Sequence, residues 1–96
     1  MRPSKALNMH RAMIRQIVES HRAKNVRVFG SVLHGNDTEN SDLDLLIDLT
    51  SETTLMDIGA IRRELKALLG VELDIVTPNS IPSFLKDKII NEASPV

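Results

Sequence analysis

The stretch from Phe29 to Asp48, FGSVLHGNDTENSDLDLLID, decides the predicted fold of this chain. It places a Gly30-Ser31 turn after one apolar strand and an Asp42-x-Asp44 pair at the head of a second, with ten residues between Ser31 and Asp42. Two carboxylates that open a buried strand are costly, since each buried charge costs on the order of several kcal/mol unless a positive charge neutralises it. A bound divalent cation is the simplest neutraliser. The stretch therefore predicts a phosphate-binding turn followed by a metal-binding pair of acids.

Length and composition predict one soluble domain over residues 1–96. With 42% apolar and 26% charged residues, the chain is too apolar to be disordered and ordinary for a globular protein. It has no cysteine, which excludes disulfides, thiol catalysis and thiolate zinc sites. No apolar run reaches membrane-spanning length, and the first residues lack the apolar core of a signal peptide. We therefore expect a cytoplasmic protein without a membrane partner.

The charge distribution argues against a nucleic-acid partner. The net charge is only −1, but five acids crowd one stretch that contains no Lys or Arg: Asp37, Glu39, Asp42, Asp44 and Asp48. Such a stretch repels a phosphate backbone in the absence of metal. The two aromatic residues, Phe29 and Phe84, are too few for the stacking platforms of proteins that bind single strands.

Hydrophobic periodicity predicts the order helix, strand, short helical turn, strand, helix, strand, helix. The predicted segments are a helix over about 8–22, a strand over 26–29, a helical turn over 31–34, a strand over 42–49, a helix after Thr54 that stops at Gly70, a strand over 71–76 and a last helix with Pro82 in its first turn. An α+β fold follows, in which a small mixed three-stranded sheet has helices packed on one face. The last helix is expected to bury Leu85, Ile89 and Ala93.

The strand DLDLLIDL alternates in a way that separates acids from core. Asp42, Asp44, Leu46 and Asp48 fall on one face, and Leu43, Leu45, Ile47 and Leu49 fall on the other. The apolar face is expected to supply the core, and the face that carries the acids is expected to stay accessible.

A third carboxylate, Asp74, strengthens the prediction of a metal site. Asp42 and Asp44 point the same way on one strand, which suits two Mg2+ ions roughly 3.5 to 4 Å apart. If the next strand lies alongside, Asp74 stands beside Asp44. A solvated polar face on an edge strand is the structural alternative for the Asp-x-Asp pair. Glu72 and Asp48 lie about 7 Å along their strands from the proposed centre and are expected to be surface charges.

The motifs VFGSVLHG, SDLDLLID and VELDIVTP, with the closing helix KDKIINEA, resemble the nucleotidyltransferase superfamily that includes DNA polymerase beta. More closely, the chain resembles the minimal nucleotidyltransferases (MNT proteins) that are paired with HEPN-domain toxins. The resemblance extends from about Val26 to the C-terminus. It implies the DNA polymerase beta-like nucleotidyltransferase fold and an Mg2+-dependent transfer that uses a nucleoside triphosphate such as ATP.

The resemblance also implies roles for particular residues. Gly30 and Ser31 would bind the triphosphate, Asp42 and Asp44 would hold the Mg2+ ions, and Asp74 would complete the metal site and help to deprotonate the attacking hydroxyl. These roles agree with nucleotidyl transfer, which depends mainly on alignment and charge neutralisation.

One position departs from the family pattern. Where many relatives carry Arg before the second Gly of the turn, this chain has His34, a weaker phosphate partner than a guanidinium. We expect His34 either to contact phosphate or to be an exposed turn residue. Lys86 and Lys88 in the last helix, like His10 and His21, are expected on solvated surfaces.

The resemblance implies one function, and two alternatives remain beside it. The first is an antitoxin that moves AMP from ATP onto a tyrosine hydroxyl of a HEPN toxin, with which it would form a complex, and releases pyrophosphate. The second is a non-catalytic antitoxin that covers the active site of its partner. The third is nucleotidyl transfer to a small molecule or an RNA 3′ end, which the scarcity of aromatic residues disfavours in the case of RNA.

Overall fold

The computed structural model describes residues 1–96 and contains five α-helices, one 3-10 turn and four strands. In chain order the elements are α1 (Pro3–Met9), α2 (Arg11–Ser20), β1 (Ala23–Phe29), α3 (Gly30–Leu33), β2 (Leu43–Leu49), α4 (Leu55–Leu69), β3 (Leu73–Val76), the 3-10 turn (Pro78–Ser80), α5 (Ser83–Glu92) and β4 (Ser94–Pro95). No helix combines the length and the apolar character needed to span a membrane.

The strands form one mixed sheet in the order β3-β2-β1-β4. β2 runs parallel to β3 and antiparallel to β1, which confirms the predicted α+β class and mixed sheet. The prediction of three strands was one short. β4 pairs with β1 at Arg27 and Val28, but it has two residues, one of them proline, so it carries no alternation by which a strand is recognised.

The core lies between the sheet and helices α1, α2 and α4. It contains sixteen buried apolar residues, and β2 supplies three of them, Leu43, Leu45 and Ile47, each with no exposed surface. The predicted apolar face of β2 is therefore confirmed, except that Leu49, at the end of the strand, is 40% exposed. β2 lies inside the sheet, between β3 and β1, and its apolar face packs into the core.

The first helix differs from its prediction. The expected single helix over 8–22 is interrupted at His10, whose backbone leaves the helical region at φ −130°. Two helices result, and the turn between them lets α1 bring Ala6 and Leu7 into the core while Met9 and Met13 remain exposed. The periodicity of the methionines therefore indicated helix correctly but misplaced the buried stripe.

The last helix also differs. Pro82 lies at the N-cap position rather than in the first turn, and no residue of α5 is buried. The expectation that Leu85, Ile89 and Ala93 form a buried side was wrong, because α5 contributes nothing to the core and is separated from Phe29 by an open cleft.

The acid-bearing face of the sheet is partly covered. Leu46 shares that face with the acids but has no exposed surface, and it lies outside the main core. The 3-10 turn contacts β2 there, and the adjoining Ile81 is also buried. The middle of this face is therefore covered, and the end that carries Asp42 and Asp44 remains accessible.

Three predicted boundary residues were correct. Thr54 and Asp57 form a reciprocal capping box at the start of α4, and Gly70 ends that helix in the left-handed conformation at φ 67°. Asp37, one of the five acids of the acidic stretch, is buried and accepts a hydrogen bond of 2.9 Å from the Ser4 amide at the start of α1. That bond holds the pKa of Asp37 below its ordinary value.

Candidate active site

The register of the sheet places the acids in one row. Asp44 in β2 is paired with Asp74 in the parallel neighbour β3 and with Phe29 in the antiparallel neighbour β1. Paired residues on adjacent strands project on the same side of a sheet, with the strands about 4.8 Å apart. Asp42 precedes β2 and shares the face of Asp44. The prediction that Asp74 stands beside Asp44 required β2 and β3 to be neighbours, and they are.

Asp44 is the electrostatic centre of this row. Burial, followed by the charges of Asp74 and Asp42, raises the pKa of the Asp44 carboxyl to about 6. Like charges repel, and no three acidic or histidine side chains converge at metal-ligand distance. The three carboxylates are therefore neighbours on an open face and not a closed cage. A cation would relieve both causes of the shift, so the arrangement fits a hard divalent ion bound by oxygen.

Gly30 adjoins this centre directly. Its φ of +73° disfavours any residue with a side chain, and a Cβ atom placed on it would lie 2.1 Å from Oδ2 of Asp44. The missing side chain therefore makes room for the Asp44 carboxylate. From the sequence, Gly30 was assigned to the binding of phosphate. The structure shows that Gly30 and Asp44, fourteen positions apart in the chain, lie so close together that a side chain on Gly30 would overlap the Asp44 carboxylate.

The predicted nucleotide-binding residues form the short helix that starts at Gly30. Ser31 is the second residue of α3, where amide groups have no acceptor within the helix. His34 follows the last residue of α3, and its side chain is half exposed. Nε2 of His34 lies 3.3 Å from Oε2 of Glu92 in α5, so the imidazole has a partner within the chain.

A cleft of about 300 Å3 opens between α3 and α5 beside Gly30. Seven residues line it: Phe29, Gly30, His34, Leu85, Lys88, Ile89 and Glu92. Its only cationic residue is Lys88, which the sequence had placed on a solvated surface. Helical periodicity could not reveal this position, because α5 faces the cleft and not the core.

Two other acids near the row, Asp48 and Glu72, form hydrogen bonds with basic side chains. Asp48 accepts hydrogen bonds from Arg27 Nη2 at 2.5 Å and from Asn25 Nδ2 at 2.8 Å. Glu72 accepts one of 2.6 Å from Lys66 Nζ. Both carboxylates therefore have cationic partners of their own, which leaves Asp42, Asp44 and Asp74 as the row without one.

A second depression, of about 350 Å3, lies at the far end of β2. It is lined by Lys24, Asp48, Leu49, Thr77, Pro78 and Asn79. Its single acid, Asp48, is the one neutralised by Arg27, so this depression lacks the grouped carboxylates of the candidate site.

Comparison with known proteins identifies the family. The family model of the nucleotidyltransferase domain matches residues 11–96. The chain belongs to the nucleotidyltransferase domain family. A protein of Methanocaldococcus jannaschii, named as a predicted protein adenylyltransferase, is 37% identical to this nucleotidyltransferase over 87 residues, which cover 91% of the chain and 94% of the relative. The protein adenylyltransferase MntA of Thermococcus cleftensis is 30% identical over 78 residues, with coverage of 81% and 79%.

Solved structures share the fold of this nucleotidyltransferase. One described as a predicted minimal nucleotidyltransferase superposes with a TM-score of 0.87 at 36% identity, over 97% of this chain and 95% of that one. A toxin–antitoxin crystal structure with AMP-PNP contains a chain that superposes with a TM-score of 0.69 at 17% identity, over 83% of this chain and 66% of that one, which shows a common fold. The predicted family, fold and enzyme class are therefore confirmed.

Proposed function

We propose that this nucleotidyltransferase is an antitoxin that transfers AMP from ATP to a tyrosine hydroxyl of a HEPN-domain toxin. The observation that carries the proposal is the row Asp42, Asp44 and Asp74, in which the Asp44 carboxylate fits against Gly30, the first residue of α3. The names of the relatives support protein adenylylation as the activity. The shared fold of a toxin–antitoxin structure supports a toxin as the partner.

The donor set fits magnesium, which prefers hard oxygen ligands and retains water. In the proposed site, Asp42, Asp44 and Asp74 would hold two Mg2+ ions. These ions would neutralise the charge of the phosphates and lower the pKa of the attacking hydroxyl.

The residues of the chain align the reactants. The first amides of α3 and the hydroxyl of Ser31 bind the triphosphate so that its α-phosphorus faces the acid row. The tyrosine oxygen attacks that phosphorus, the bond between the α-phosphorus and the bridging oxygen breaks, and pyrophosphate leaves. Asp74 accepts the proton of the tyrosine hydroxyl. Alignment and charge neutralisation supply most of the catalysis in transfers of this kind.

Exposed apolar side chains favour a protein as the acceptor. Leu55, Met56 and Phe84 are 86%, 84% and 82% exposed. Met and Phe are enriched at protein–protein contacts. Leu55 and Met56 are adjacent at the start of α4, where they present one apolar surface to a partner.

A mass measurement tests the proposal. The purified chain is incubated with ATP, Mg2+ and a HEPN-domain toxin encoded in the same genome, and we expect the toxin to gain the mass of one AMP, located at a tyrosine. Replacement of that tyrosine by phenylalanine should abolish the gain. Absence of any nucleotide addition, with each of the common nucleoside triphosphates, would contradict the proposal.

A double variant separates transfer from simple coverage of the toxin. Asp42→Asn with Asp44→Asn removes two of the three acids and should abolish both AMP addition and neutralisation. Asp48→Asn is the matched control, because Asp48 lies on the same strand but is bound to Arg27. Neutralisation that survives in the double variant would instead support a non-catalytic antitoxin.

A further inference from the structure

We propose that Lys88 is the cation that binds the phosphates of the nucleotide in this site. The inference rests on the proposed function, because it assigns a further residue to the same nucleotide. It adds a positive charge from α5 to a phosphate site for which the sequence indicated only Gly30, Ser31 and His34.

The site lacks positive charge close to its own motifs. The segment 30–49, which contains α3 and the acids of β2, has no Lys or Arg. Phosphate groups are usually held by charge-assisted hydrogen bonds from Lys or Arg. His34 is the only basic side chain of that segment, and its Nε2 is next to Glu92. A cation from another element would therefore add to the charge that Mg2+ at the acid row is proposed to supply.

Six of the twelve Lys and Arg residues already have partners. Arg22, Arg27 and Lys66 form ion pairs with Asp57, Asp48 and Glu72. Arg11, Arg15 and Arg62 donate to the backbone oxygens of Pro95, Val96 and Leu73. Lys88 forms no ion pair, and it is the cation that lines the cleft together with Gly30.

The surroundings of Lys88 leave its ammonium group available. Glu92, four residues later on the same side of α5, contacts His34 across the cleft. Phe29, Leu85 and Ile89 supply the apolar part of the cleft lining. Gly30 borders both the Asp44 carboxylate and the cleft that Lys88 lines. Phosphates bound at the start of α3 would therefore lie next to the cleft that contains Lys88.

Calorimetric titration of phosphate ligands into the full chain, in the presence of Mg2+, tests the role of Lys88. The ligands are the α,β-methylene analogue of ATP, which does not release pyrophosphate, and inorganic tripolyphosphate, which has no base or sugar. We expect Lys88→Met to weaken both by about tenfold or more, as for loss of a charge-assisted hydrogen bond. Lys88→Arg should retain most of the affinity.

Lys86→Met is the matched control, since it removes the same charge from the same helix but Lys86 does not line the cleft. Equal weakening by Lys86→Met and Lys88→Met would overturn the proposal, because it would indicate general electrostatics. Unchanged affinity in Lys88→Met, or a loss confined to the ATP analogue, would overturn it as well. If the wild-type chain bound neither ligand, the proposed function itself would fail. Lys88 is exposed, so Lys88→Met should keep the wild-type melting temperature.

Discussion

Replacement of Gly30 by alanine should disable the site while leaving the fold intact. The new Cβ would lie 2.1 Å from Oδ2 of Asp44, whereas ordinary contact begins near 3.4 Å, so the carboxylate has to move by more than 1 Å. A misplacement of about 1 Å in a catalytic group costs on the order of 100-fold in rate. The φ of +73° adds about 1–2 kcal/mol of backbone strain.

Gly35→Ala provides the control that isolates the steric effect. Gly35 has the same φ of +73°, but a Cβ placed there meets nothing within 4 Å, so this variant experiences the backbone strain alone. The assay measures the rate of AMP transfer and the melting temperature of both variants. Both should lose similar stability, and only Gly30→Ala should lose about 100-fold in transfer rate. Equal transfer rates in the two variants would refute the inference that Gly30 makes room for Asp44.

Other predictions concern stability and pH. Because the pKa of Asp44 is raised to about 6 in the folded chain, its ionisation weakens the fold at neutral pH and this loss disappears as the pH falls below the ordinary 3.8. Asp44→Asn should therefore raise the free energy of unfolding at neutral pH by about 1 kcal/mol, after allowance for solvent screening. Asp48→Asn, which breaks the pair with Arg27, should lower the free energy of unfolding. If Asp44→Asn were less stable than the wild type in metal-free thermal melts, the inferred repulsion between the acids would be contradicted. Stabilisation by Mg2+ should decline as the pH falls through about 6, measured as the shift in melting temperature on adding the ion. Thr54→Ala removes the cap of α4 and should cost about 1 kcal/mol in denaturant titration. Asp37→Asn should lower the melting temperature at neutral pH, and the difference should vanish in acid below the lowered pKa of Asp37, where the wild-type carboxyl is also neutral.

The parts of the fold that follow a regular period were predictable from the sequence. The alternation in β2 identified its core face, and the apolar stripe of α4 lies between two recognisable ends, the Thr54 cap and Gly70. β4 and the break at His10 were not predictable in this way. The first is two residues long, and the second depends on how α1 reaches the core, which is a tertiary effect.

The acids of the candidate site were predictable, and their surroundings were not. Asp42, Asp44 and Asp74 carry a local signal, because acids that interrupt apolar strands are unusual. The steric relation between Gly30 and Asp44 requires the register of β1 against β2. The position of Lys88 beside Gly30 requires the packing of α5. Neither relation can be predicted from hydrophobic periodicity.

The ten residues between Ser31 and Asp42 include a loop whose length does not set the geometry of the site. Gly30 meets Asp44 because β1 is paired with β2, and the intervening loop is held separately by the bond from Ser4 to Asp37. The contact between glycine and carboxylate therefore depends on the pairing of the two strands and not on the length of the loop. Residues inserted into the loop after Asp37 should leave that contact in place.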